Sequence, residues 1–241
     1  MTASLPSDVQ AVFAQFKTTE LTTVDDHGQP ITWPATPSYR PAAPCIDITT
    51  DLEHPQKVDD ARANPLVGLL FSDPTGSGLS DPPMVLVQGN AQVDERASGD
   101  RIAIHVRPER VYIWPNGDIA TEPALYDAHI DEVRSGHSEE PDRYHAGPAG
   151  GASTWSPRIA DLGIRHPTAV LAIVSPDGFP FAVRAPVHVD AAARWVVVGG
   201  APTGIPFQPG LACLTTGSLQ VRGDLVYADE TWALLPHEVI E

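Results

Sequence analysis

A set of short segments recurs along this chain in the same order and at steadily shrinking intervals, and that repeat limits the fold more than any other feature. The turn Asp26-His27-Gly28-Gln29-Pro30 returns as Pro176-Asp177-Gly178-Phe179-Pro180. Asn64-Pro65-Leu66 returns as Gln208-Pro209-Gly210, Val87-Gln88-Gly89 as Val221-Arg222-Gly223, and Arg107-Pro108 as Leu235-Pro236. The offsets fall from 150 to 144, 134 and 128. A duplicated unit whose second copy has shorter loops gives this pattern.

Within each copy the residues read as short strands between Gly, Pro and Asp turns. In the first, strands are expected near Glu20–Val24, Ile31–Pro37, Cys45–Thr49, Leu66–Phe71, Met84–Asp94 and Glu109–Trp114. An amphipathic helix over Pro6–Lys17 precedes them, a helix over Pro55–Ala63 lies between the third and fourth, and Asp94–Arg101 is a candidate for another. In the second, strands are expected near Thr168–Ser175, Phe181–Asp190, Trp195–Gly199, Gly210–Thr215, Ser218–Ala228 and Thr231–Leu235. Many strands and few helices predict a mainly β protein of two closed antiparallel barrels, the second degenerate, rather than a βαβ sheet. The expected domains are 1–115 and 167–241. Residues 116–166, rich in Gly, Pro and charge, form a linker with helix-like pieces at Tyr126–Arg134 and Pro157–Leu162; its stretch His137–Trp155 is a tether or a flap.

With 241 residues, 42% of them hydrophobic, the chain can build substantial cores. Its formal charge of −16 repels polyanions, which argues against nucleic acid as a partner. No stretch approaches a membrane span and the start lacks a signal-peptide pattern, so the cytoplasm is the expected location. Cys45 and Cys213 lack metal spacing and are expected as buried, reduced thiols. The nine histidines match no metal signature, and no metal site is expected; His137 and His145 with Glu139 and Glu140 are read as loop residues.

The turn Asp26-His27-Gly28-Gln29-Pro30, the strand end Ile48-Thr49-Thr50, the stretch from Gln56-Lys57 to Asn64-Pro65 and the strand Val87-Gln88-Gly89-Asn90-Ala91 together resemble the pyridoxamine 5′-phosphate oxidase-like family of flavin and deazaflavin oxidoreductases. The resemblance covers roughly residues 6–115 and repeats faintly over 167–241. It implies a split β-barrel in tandem form, in which one chain imitates the usual homodimer, and a further homodimer is open. It also implies an FMN-dependent oxidoreductase acting on a small organic molecule. By position, Trp33, Pro34, Ala35 and Thr36 would line the flavin ring, Thr49, Thr50, Gln56 and Lys57 would face the phosphate, and Gln88 would reach a ring carbonyl.

The chain departs from that pattern in charge. Trp33, Ser38 and Gln56 stand where pyridoxamine phosphate oxidases themselves carry cations, so vitamin B6 oxidation is not expected. His54, Arg40, Arg62, Arg184 or Arg222 would have to replace them. FMN is preferred over coenzyme F420, whose polyglutamate tail needs a basic groove. The alternative is a non-catalytic or haem-binding barrel that has lost the flavin, with His54, His105, His166 or His188 as the haem ligand. Lys57 is then a helix-start lysine, Gln88 a surface or seam residue, and Trp33 and Trp114 are core or seam aromatics.

Overall fold

The structure, a computed structural model, describes residues 5–43, 45–51, 55–94, 101–127, 155–199, 203–217, 219–228 and 230–240. His54, most of the Asp94–Arg101 and Tyr126–Arg134 pieces, and residues 137–154 with their histidines and acids lie outside them.

The first copy comprises α1 (Ser7–Gln15), β1 (Thr19–Val24), β2 (Pro30–Arg40), β3 (Cys45–Asp51), α2 (Pro55–Ala63), β4 (Leu66–Phe71), β5 (Met84–Asp94) and β6 (Arg101–Trp114). A short β7 (Ala124–Asp127) lies on β6. The second comprises α3 (Pro157–Arg165), β8 (Thr168–Val174), β9 (Pro180–Asp190), β10 (Trp195–Val198), β11 (Gly210–Thr216), β12 (Leu219–Ala228) and β13 (Thr231–Ile240). Both copies are closed barrels with one connectivity. The first runs β3-β2-β1-β4-β5-β6 and closes through β3–β6; the second runs β10-β9-β8-β11-β12-β13 and closes through β10–β13. The fold is mainly β, a tandem split barrel.

The repeated turn is the same object in both halves. Gly28 and Gly178 hold φ of 79° and 86°, a region that only glycine enters freely. In each, the glycine N–H donates to the carbonyl three residues back, Asp25 or Ser175. The side chains of those residues close the loop further: Asp25 accepts from the His27 and Gln29 amides, and the Ser175 hydroxyl donates to the Phe179 carbonyl.

The last strands run longer than their sequence suggests, β6 from Arg101 rather than Glu109 and β13 to Ile240 rather than Leu235. The reason is a bulge at equivalent places. Pairing shifts register between Gln88 and Gly89, opposite Pro108, and between Arg222 and Gly223, opposite Pro236. A bulge leaves one residue out of the ladder, so a proline with no N–H fits in mid-strand. Each glycine is required there, because a Cβ would overlap the carbonyl of Arg107 or of Leu235.

Alternation sets the first core: Ile46 and Ile48 point inward from β3 while Asp47 and Thr49 point outward. Val9, Val12 and Phe13 of α1 join that interior, with Phe13 packed on the rings of Tyr39 and Phe71. The outer faces of the two barrels then meet. β4 packs on β9 as β11 packs on β2, and β1 on β9 as β8 on β2. Leu70, Leu86 and Trp114 of the first barrel thereby join Phe181, Val183 and Leu214 of the second in one buried cluster.

Alanine at Gly89 or Gly223 should destabilise the protein by about 3 kcal/mol, the cost of forcing a methyl group into a filled space. The urea midpoint should fall for both variants with little change in m. A midpoint equal to that of the parent chain in either variant contradicts the bulge geometry.

Candidate functional site

The nine residues expected around a flavin divide by exposure. Pro34, Thr36, Thr49 and Gln56 are exposed, and Thr36 faces Thr49 directly across β2 and β3. Ala35 points into the first barrel's core, so only its backbone is available to a ligand. Thr50 and Lys57 are buried, Lys57 to 7% exposure in the first turn of α2, which contains no acidic residue.

Trp33 is half-buried, and its indole N–H donates to the Thr23 hydroxyl at 3.1 Å. That hydroxyl in turn donates to Asp60 on α2 at 3.0 Å. The expected ring strand and the expected phosphate helix are therefore tied by one hydrogen-bond chain. Burial raises the Asp60 carboxyl above its ordinary range, and the nearby Asp25 adds to this; the Thr23 bond and the charge of Arg222 act against it.

Gln88 is not at this surface. It is fully buried at the seam, where its amide donates to the Pro180 carbonyl at 2.9 Å. Two other glutamines do the same, Gln29 to the Ala212 carbonyl at 2.9 Å and Gln220 to the Thr32 carbonyl at 2.6 Å. Trp114 lies in the seam as well, fully buried, with Tyr112 and Phe181 against it.

Each arginine considered as a replacement cation has a carboxylate partner. Arg40 pairs with Asp47, Arg62 with Asp59, Arg184 with Glu20 and Arg222 with Glu238. Arg222 comes from the second barrel, yet its charge acts on Asp60 of the first barrel's helix. Its Nε is buried without a hydrogen-bond partner.

Two open pockets lie elsewhere, and none of the nine residues lines either. One, of about 990 Å³, opens on the seam where Arg184 meets Ser72 at 2.9 Å and Glu20 at 2.6 Å. Burial raises the Glu20 carboxyl, although Arg184 and Ser72 draw it down. Asp81, on the wall of this pocket, holds a positive φ of 45°. The other pocket, of about 520 Å³, lies outside the first barrel beside Cys45 and His105. Cys213 is buried as expected, but Cys45, contrary to expectation, begins β3 on its outward side and is only partly covered. It joins Asp47 and His105 in a cluster that sequence spacing did not reveal.

No family profile matches the chain, and no curated protein matches it. Solved structures do. A putative pyridoxamine 5′-phosphate oxidase from Listeria innocua is 19% identical over 44% of this chain and 95% of that one, with a TM-score of 0.37. General stress protein 26 from Bacillus anthracis is 16% identical over 50% and 96%, with a TM-score of 0.40. The haem storage protein HutZ from Vibrio cholerae is 14% identical over 46% and 96%, with a TM-score of 0.38. Among the described residues no helix is long and apolar enough to cross a membrane.

The seam ion pair gives a test with a defined sign. A carboxyl raised by burial favours the folded state most below the ordinary Glu range, and that advantage is lost as pH rises through its folded pKa. Removing Arg184 takes away a group that draws Glu20 down, so its pKa rises further. Arg184→Met should cost about 2 kcal/mol at neutral pH, somewhat less than breaking a fully buried pair. The deficit should shrink as Glu20 becomes protonated, measured by urea unfolding across acid and neutral pH. A deficit that is constant with pH, or that grows on acidification, contradicts this account.

Proposed function

We propose that this chain is a flavin-binding split-barrel protein, an FMN-dependent oxidoreductase for a small organic molecule, in which two barrels of one chain take the place of two subunits. The observation that carries the reading is the chain Trp33 to Thr23 to Asp60, which fixes the ring strand against α2 before any ligand arrives. A preformed site loses little binding energy to ordering itself.

The donor set suits a phosphate ester at that position. The Thr36 and Thr49 side chains are exposed on adjacent strands, and Gln56 is exposed at the helix start. The amides of the first turn of α2, which have no partner within the helix, favour an anion, and Lys57 in that turn adds positive charge. Pro34 and Thr36 would border the ring, with Trp33 behind them. Bound FMN would supply hydride and single-electron transfer, while these residues hold and orient it. Among the described residues no helix stands in place of α2 in the second barrel, so one site per chain is expected.

A second reading rests on the burial of Lys57 and on the carboxylate partners of the four arginines. In it the architecture persists and the flavin is lost, leaving a haem-binding or cofactor-free barrel. Titrating the purified chain with FMN, haem and F420 in parallel separates the two. The flavin reading expects FMN to bind and Lys57→Ala to weaken it at least tenfold, about 1.4 kcal/mol. An unchanged FMN affinity in that variant removes the phosphate assignment. Haem binding alone, or no binding at all, supports the second reading.

A further inference from the structure

On the outward face of the first barrel, away from the flavin reading, three unlike side chains converge. Asp47 and His105 are register partners across β3 and β6, and Cys45 lies two residues before Asp47 on the same face. One ligand atom from each falls within 4.8 Å of the others. His105 Nδ1 is 2.6 Å from Asp47 Oδ1, and Cys45 Sγ is 3.4 Å from that same oxygen.

We propose that Cys45, Asp47 and His105 form a binding site for a divalent transition metal of the zinc class, and that Arg40 holds the site as a substitute cation. A positive group already occupies the focus of the three ligands. Arg40 Nη2 lies 2.8 Å from Asp47 Oδ1, 3.3 Å from His105 Nδ1 and 3.6 Å from Cys45 Sγ. Its Nε also pairs with Asp47 Oδ2 at 2.6 Å, so an entering ion must displace a two-point ion pair; at 48% exposed, against 18% for Asp47 and 27% for His105, the arginine is the member with room to leave.

Two further observations point to metal rather than to an ion pair alone. The second nitrogen of His105 lies 3.7 Å from Asp94 Oδ2, so a carboxylate stands behind the imidazole. A metal-bound histidine characteristically donates its other nitrogen to such a group; at 3.7 Å the pair here is an ion-pair contact and not a hydrogen bond. The site also opens on the pocket of about 520 Å³, whose wall includes Asn90, Gln92, Arg107 and Glu109. A fourth coordination position would face that space, as in three-ligand zinc sites.

One sulfur, one nitrogen and one oxygen favour zinc or cobalt over magnesium or calcium, which take oxygen ligands. Tetrahedral ligands at zinc distances stand roughly 3.5 Å apart, so His105 and Asp47 must separate slightly as the ion enters. The thiol proton of Cys45 is released to solvent on binding, since the thiolate is the ligand. β3 and β6 close the first barrel, so the ion would pin the closure.

The test is a Co²⁺ titration of the full chain, followed by displacement with Zn²⁺. One Co²⁺ per chain should give a thiolate-to-cobalt charge-transfer band, absent in Cys45→Ser, and Zn²⁺ should erase it. Arg40→Gln should bind about tenfold more tightly or better, because its competing charge is gone. A measurement that needs no variant is alkylation of the parent chain. Cys213 is fully buried, so Zn²⁺ should protect the one accessible thiol, Cys45. The proposal is overturned by a parent chain with no thiolate band and no protection, by a band that persists in Cys45→Ser, or by Arg40→Gln binding no more tightly. In those cases the cluster is an ion-pair network only. None of these readouts depends on flavin.

Discussion

The contact between the two barrels is the constraint on which the remaining structure depends. A barrel closed on itself has no edges to protect, and its outer face would ordinarily be polar. Here Leu70, Leu86 and Trp114 of the first barrel lie outside its own core, in a cluster made mostly by the second barrel. Burying apolar surface at about 25 cal/mol per Å² stabilises the seam, but that force has no direction. Direction comes from polar groups. The amides of Gln29, Gln88 and Gln220 reach carbonyls of the opposite barrel, and Arg184 reaches Glu20 and Ser72. A buried donor that missed its acceptor would cost about 1 to 3 kcal/mol, so these bonds fix the register of one barrel on the other.

Duplication kept the scaffold and varied what is attached to it. The two bulges, the two Gly turns and the identical ring of strands are features of chain geometry, and both copies retain them. α2 has no counterpart among the described residues of the second copy, and its buried face carries Lys57 and Asp60 as well as Val58 and Ala61. A helix whose inner face is half charged must gain partners from its surroundings. Asp60 finds Thr23 on β1, and the charge of Arg222 arrives from the second barrel. Burial still dominates at Asp60, and the second barrel adds only a smaller opposing charge to this part of the first.

Much of the architecture was legible in the residues. α2 occupies the predicted span, and most strands agree within a residue or two, because Gly, Pro and Asp mark turns by backbone geometry. The ends of β6 and β13 were not legible. A proline inside a strand normally ends it, and only the paired glycine across the sheet shows that Pro108 and Pro236 sit in bulges. That misreading hid the Cys45 cluster. With β6 begun at Glu109, His105 has no strand to place it; with β6 begun at Arg101, alternation places His105 outward, opposite Asp47. For Gln88 the sequence leaves both a ring contact and a surface or seam position open, because whether a polar residue on a strand faces solvent or another barrel depends on packing that one copy does not encode.

Scarcity of positive charge links the candidate site to the scaffold. Fifteen lysines and arginines face thirty-one acids, and the arginines near the seam and on the first barrel are engaged structurally. Arg184 and Arg110 each bridge the barrels, to Glu20 and to Asp177, and the Arg110 guanidinium also lies over the Phe179 ring at 4.5 Å. Releasing such a group to hold a phosphate would leave a partly buried carboxylate without its partner, a penalty comparable to the gain from a charge-assisted bond. Under the flavin reading, an anion would be held at least cost by groups that break no ion pair: the amides at the start of α2 and the hydroxyls of Thr36 and Thr49. The acidic composition that repels polyanions thus leaves the proposed phosphate position, the start of α2, dependent on backbone amides and hydroxyls more than on arginine.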